Sequence, residues 1–348
     1  MQLTLDEISI LCVYSAMVVY AIAFIAFSID LAKRSAAATA ATDAALVEAK
    51  QAVAVGAASD ATAGTGSTAT AAPGASARPS KTAAGTGTGA VAYGRSPSLR
   101  VGVAMTVLAW LLHLTADVTR GFAAGRVPWA NMYEFALTGT LIITTVFLVV
   151  IVISKHDLRF LGTFVTGLVL VLLGVAALNF YVSPIPLPPA LQSVWLVIHV
   201  FVASASVGLF ALGFALSVVQ LMQSRREALL DTAKAAKATF LATLPDSVTL
   251  ENLAYRVNII GFIMWTFTLM AGSIWAEKAW GRYWGWDTKE VWTFIIWVVY
   301  AGYIHARATR GWRGSRSAWL AIIGFSAVLF NFTVVNLFFK GLHAYSGL

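Results

Sequence analysis

Apolar residues fall into eight long runs separated by short polar breaks, at roughly 8–31, 101–119, 134–153, 160–178, 194–222, 253–275, 291–308 and 318–339. About 20 helical residues cross ~30 Å of hydrocarbon, and each run has that length or nearly so. Lipid offers no partner for free N–H and C=O groups, so each run must bond to itself as a helix. The pattern predicts an all-α integral membrane protein with about eight transmembrane helices. One stretch, 35–99, breaks the pattern. It is mostly Ala, Gly, Thr and Ser, with Tyr93 as its one aromatic. Such a segment cannot bury enough apolar surface to offset its ordering entropy, which predicts a long disordered linker after the first helix. Its Ala-rich start, 36–55, has the composition to form some helix. The expected organisation is a first helix in 1–34, a low-complexity linker in 35–99 and a seven-helix core in 100–348.

Composition agrees. The chain has 348 residues, 59% hydrophobic and 11% charged, with a mean hydropathy of +0.77. A soluble domain carries about 25% charged residues. A single cysteine, Cys12, excludes a disulfide framework and dithiol redox chemistry. The net charge of +8 is explained by sidedness rather than by nucleic acid. With the start of the chain outside and the helices alternating, most Lys and Arg fall on one side. Only Arg120, Arg126, Lys278, Arg282, Lys289 and Lys340 fall on the other. The positive-inside rule makes the cation-rich side, with the linker, cytoplasmic. Both termini and the 275–290 loop are then extracytoplasmic. The acidic first residues mark the first run as a span rather than a cleaved signal peptide.

The 275–290 loop gathers Trp275, Trp280, Trp284, Trp286 and Tyr283 among Lys278, Arg282, Lys289, Glu277, Asp287 and Glu290. Gly281 and Gly285 between the rings let backbone approach a flat ligand. If helical, Trp280 and Trp284 share one face. The cations suit acidic groups on a ligand, or they pair with the neighbouring acids. Asp287 and Glu290 open the next helix, where acids cap free N–H groups and favour the dipole.

The predicted topology sorts the five histidines. His199 and His343 fall on the same membrane face as this loop. His305 ends the seventh run some 22 Å away at about 1.5 Å per residue. His113 suits a hydrogen-bonded core role and His156 a solvated turn. A lone membrane histidine is usually a core residue. Two on one face beside aromatic walls also match what a haem needs, two axial nitrogens and apolar contact.

The run Trp280-Gly281-Arg282-Tyr283-Trp284-Gly285-Trp286-Asp287-Thr288-Lys289-Glu290-Val291-Trp292, followed by Tyr300-Ala301-Gly302-Tyr303-Ile304-His305, resembles the WWD haem-handling family. The subtype is the one called CcsA or ResC, and CcsB in some actinobacteria, of the system II cytochrome c synthase. Pro128-Trp129-Ala130-Asn131-Met132-Tyr133-Glu134 and the close at Gly341-Leu342-His343 support it, and the resemblance covers about residues 100–348. Thr288 stands where many relatives have Pro. The resemblance implies that His199 and His343 ligate haem iron outside the cytoplasm, and that His305 belongs to a second, inner haem site. It implies that Trp280, Trp284, Trp286 and Asp287 present haem b for attachment to the Cys-x-x-Cys-His segment of an apocytochrome c. The implied partners are a ResB-type membrane protein, the apocytochrome and thioredoxin-like proteins that reduce it, in a bacterial plasma membrane. Two alternatives stand beside it: a haem transporter or chaperone without synthase activity, and a b-type electron-carrying cytochrome. The last would need histidine pairs stacked on facing helices within the bilayer.

Overall fold

The computed structural model describes residues 3–62, 96–185, 187, 192–231, 240–309, 311–339 and 341–343. The long helices are α1 (Leu5–Thr62), α2 (Pro97–Ala124), α3 (Met132–Ile153), α4 (Gly162–Asn179), α5 (Val194–Asp231), α6 (Ser247–Trp280), α7 (Thr288–Thr309) and α8 (Ser315–Phe330). A π-helical turn, Asn331–Val335, leads from α8 into the short α9 (Asn336–Phe338). No strand occurs among the described residues. The chain is an all-α integral membrane protein.

Seven helices among the described residues are long and apolar enough to cross a membrane. The eighth expected span is α7, whose 22 residues reach about 33 Å. Trp292, Trp297, Tyr300, Tyr303 and His305 lower its hydropathy without shortening it. The first helix does not stop at residue 34. It continues to Thr62 through the Ala-rich start of the expected linker, because alanine is the best helix former. The rest of that linker, 63–95, lies outside the described residues.

The chain divides into two compact units. One comprises Ala32–Gly94 and Ala236–Leu244, and includes the far part of α1 and a 3-10 turn, Phe240–Thr243. The other comprises Met1–Leu31, Arg95–Ala235 and Pro245–Leu348, and holds the helical bundle. Within that bundle two cores form. Val13, Ala116, Tyr133, Leu137 and Leu173 join α1 to α4. Phe210, Trp265, Ile296, Tyr300 and Phe325 join α5 to α8, with the Phe210 and Tyr300 rings stacked at 3.7 Å.

Lipid is as apolar as leucine, so helices associate there through close packing and hydrogen bonds rather than through the hydrophobic effect. The α5–α6 pair shows both devices. A Cβ on Gly261 would meet the Phe210 ring at 2.9 Å, and one on Gly272 would meet His199 at 2.7 Å. The Ser206 hydroxyl donates to the Gly261 carbonyl at 2.7 Å. Between α6 and α7, the Trp265 indole donates to the Thr293 carbonyl at 3.1 Å. The Trp297 indole donates to Thr266 at 2.9 Å.

At one face the start of α1, the end of α2, the start of α3 and the segment after α4 are tied by a fully buried guanidinium. Arg120 donates to Glu134 at 3.0 Å, to Asp6 at 2.7 Å and to the Val182 carbonyl. Arg126 closes on the other oxygen of Glu134 at 2.6 Å. The start of α5, the end of α6, the start of α7 and the residues after α9 meet at the second cluster described next.

Candidate functional site

A cavity of about 390 Å³ opens between α3, α4, α5, α6, α7, α8 and the π turn, within the usual range for small-molecule sites. Its walls are mostly apolar and aromatic, and both His199 and His343 line it.

His199 comes from the first turns of α5, in the gap left by Gly272 on α6. Its Nδ1 lies 2.9 Å from the Thr268 carbonyl. A carbonyl only accepts, so Nδ1 carries the proton. His343 follows α9, and its Nδ1 donates to Asp287 at 2.8 Å. Neither Nε2 has a hydrogen-bond partner among the described residues, so each ring in its neutral form offers an Nε2 lone pair. A ring nitrogen held by carbonyl or carboxylate, with the other left open, is the arrangement of metal-ligating histidines. His113 differs. Its Nε2 sits 2.9 Å from the Leu137 carbonyl and its Nδ1 3.3 Å from the Tyr20 hydroxyl, so both nitrogens are used.

One tryptophan unites the pair. Trp275 lies nearly parallel to His199 at 6.0 Å and edge-on to His343 at 5.5 Å. Trp280 packs on His343 at 4.8 Å and on Trp275 at 4.8 Å. Gly281, at φ +69°, ends α6 one residue later, so Trp284 is not helical and shares no helix face with Trp280. Trp284 lines the cavity all the same, together with Tyr283. Trp286 is 73% exposed and stands outside the cavity, its ring edge-on to Trp284 at 5.9 Å.

The loop that carries these rings is held by Glu290. Its Oε2 accepts from the Gly285 N–H at 2.8 Å and from the Asp287 N–H at 3.0 Å. For two N–H groups on either side of Trp286 to converge on one oxygen, the chain must turn sharply there. Trp286 takes a left-handed φ of +60°, which is costly for a bulky residue. Glu290 reaching back to the Asp287 N–H is one half of a capping box. Asp287 does cap α7, but loosely, at 3.4 Å to the Lys289 N–H. Its stronger bonds hold His343 and the Leu342 N–H, the latter at 3.1 Å. The His343 hydrogen bond is the main cause that keeps the Asp287 carboxyl below its usual range.

His305 is brought to neither histidine. It is exposed near the far end of α7 and does not line the cavity. Two residues of the site escaped the sequence reading as site residues, Trp275 in contact with both imidazoles and Gly272 against His199. The i to i+3 spacing of Gly272 and Trp275 on one helix face was the available signal.

The family model described as cytochrome C assembly protein matches residues 129–343 of this chain. The chain belongs to the cytochrome c assembly protein family. Among its relatives, the cytochrome c biogenesis protein CcsA of Guillardia theta is 35% identical over 263 residues, covering 71% of this chain and 86% of that one. The protein of the same name from Synechococcus elongatus (strain ATCC 33912 / PCC 7942 / FACHB-805) is 34% identical over 287 residues, covering 70% and 87%. Among solved structures, the fold matches that of the cytochrome c heme lyase CcmF with a TM-score of 0.58 at 15% identity. That match covers 95% of this chain and 47% of the other, so this chain spans about half the length of that protein. The family match begins at Trp129 and ends at His343, and so encloses the cavity. The chain is a multi-pass membrane protein of cytochrome c biogenesis.

Proposed function

We propose that the cavity holds haem as substrate, with His199 and His343 as the axial ligands, and presents it for thioether attachment to an apocytochrome c. The observation that carries this reading is the pair of open Nε2 atoms on two histidines of one aromatic cavity. Trp275 and Trp284 supply flat apolar walls, Trp280 packs against His343, and Asp287 orients His343 as a supporting carboxylate does. Iron and vinyl groups supply the reactivity. Each apocytochrome thiol adds its sulfur to one vinyl carbon and its proton to the other, so no electron leaves or enters in that step. The chain's own work is to hold the reacting edge still, which replaces a bimolecular encounter by a positioned one.

The charge asymmetry supports placing this cavity, with the 275–290 loop, on the extracytoplasmic side of a bacterial plasma membrane. His305 then lies toward the cytoplasm. Its exposed ring suits an inner haem site whose second ligand comes from a ResB-type partner. In this scheme the work falls to a synthase made of the two proteins, and thioredoxin-like proteins keep the apocytochrome thiols reduced. A transporter without synthase activity fits the same cavity. A b-type electron carrier fits less well, because His199 and His343 meet at one end of the bundle and His113 is already saturated.

The test is coexpression of the chain with a ResB-type partner and a Cys-x-x-Cys-His reporter. Covalent haem on the reporter, lost in His199→Gly and recovered with added imidazole, supports the proposal. Copurified haem with no thioether product leaves the transporter reading in its place.

A further inference from the structure

Of the three loop cations, two are already engaged. Lys278 pairs with Glu277 at 3.0 Å on the surface, and Arg282 pairs with Glu290 at 3.4 Å outside the cavity. Lys289 alone lines the cavity. Its ammonium donates to the Asn331 carbonyl at 3.0 Å and to the Asn336 side-chain oxygen, both neutral. The π turn at Asn331–Val335 shifts the local hydrogen-bond register, and π turns cluster at functional sites. Of the acids near Lys289, Asp287 is bonded to His343 and the Leu342 N–H, and Glu290 is committed to Arg282 and two loop N–H groups.

A second group on the same wall is open. Asn131 caps α3 through its Oδ1, which accepts from the Glu134 N–H at 2.9 Å. That fixes the amide orientation and leaves Nδ2 as a buried donor with no partner. The Asn336 amide joins the two groups, donating to Met132 at 3.5 Å while its oxygen accepts from Lys289. An apolar cavity lined by one loop cation and one unpaired amide donor is set up for an anion. The unpartnered Asn331 Oδ1 suits a bridging water.

We infer that Lys289 and Asn131 form an acid-recognition subsite in the cavity, which takes a peripheral carboxylate of the ligand and so sets how the macrocycle is turned between His199 and His343. The inference rests on the haem reading above and adds its orientation. A charge-assisted hydrogen bond in a dry site changes affinity by about tenfold or more.

The test titrates the purified full chain with haem b and with haem dimethyl ester, whose carboxylates are masked, following the Soret band. Wild type is expected to prefer haem b by about tenfold. Lys289→Met removes that preference and leaves the ester affinity unchanged, while Lys289→Arg keeps it. Asn131→Asp retains the cap oxygen, replaces the amide donor by a carboxylate and also removes the preference. Equal wild-type affinity for the two ligands overturns the subsite, as does a Lys289→Met variant that weakens both equally. In those cases a bis-histidine spectrum still upholds the site. Absence of binding by either ligand overturns the haem reading and the subsite with it.

Discussion

Two polar clusters lie at the same end of the bundle and use the same kinds of residue differently. Around Arg120 the bonds are closed. The guanidinium meets Glu134, Asp6 and Val182, Arg126 completes Glu134, and one helical level away His113 spends both nitrogens. Around His199 and His343 the bonds stop one short. Each ring is anchored by Nδ1 and open at Nε2, and Asn131 leaves an amide donor unpaired. The first cluster is finished by the protein itself, and the second has bonding positions to spare. Burial grades these histidines, His113 fully and His199 partly buried, but does not say which has a nitrogen left for a ligand. The count of unused lone pairs does.

The largest effect expected from breaking this contrast is on the closed side. Glu134→Ala takes an acid partner from both Arg120 and Arg126 and leaves the buried Arg120 with Asp6 and the Val182 carbonyl, which costs about 3–5 kcal/mol of stability. Thermal unfolding in detergent measures it, and the folded fraction should keep its haem spectrum. Next, His199→Gly or His343→Gly should weaken haem binding by more than about 100-fold, since even supporting partners of a ligand are worth 10–100-fold. Imidazole should restore either variant. His113→Ala should lower stability and gain nothing from imidazole, which separates the two kinds of histidine.

Asp287→Asn should fall in between, with binding weaker by about 10–100-fold. The native carboxyl is held below its ordinary value of 3.8. Its contribution is therefore complete above that value and is lost only as pH falls through the depressed one. Wild-type haem binding should show no Asp287 transition between about pH 5 and 8. A titration of the Soret band that does show one, absent in Asp287→Asn, would contradict the assignment. The smallest effect is expected from Gly272→Ala. Its Cβ presses on His199 at 2.7 Å, and overpacking costs about 1–3 kcal/mol at most sites. The signature to look for is a shifted axial-ligand spectrum with a loss of stability smaller than that of Glu134→Ala.

The helices were legible because lipid leaves an apolar run no alternative to helix. The shared face of the loop, His199 and His343 followed from counting spans, since alternate crossings return the chain to the same side. The partners of these residues were not legible. Nothing local says that Trp275 contacts two imidazoles contributed by α5 and by the segment after α9, or that Gly272 vacates the space for one of them. Asp287 looked like a helix cap because its position demands one, yet its better bonds run to His343, 56 residues away. Lys289 looked interchangeable with Lys278 and Arg282 until the fold showed which of the three faces inward. The reach of α1 to Thr62 is the opposite case. A local preference of alanine prevailed over a composition that otherwise predicts disorder.

The central claim is that His199 and His343 together complete the coordination of one haem iron. Near-infrared magnetic circular dichroism of the purified, haem-loaded chain tests it most directly. A low-spin bis-imidazole signature is expected in wild type, unchanged by His113→Ala, and lost when either His199 or His343 is replaced. A bis-imidazole signature that survives replacement of both would contradict it.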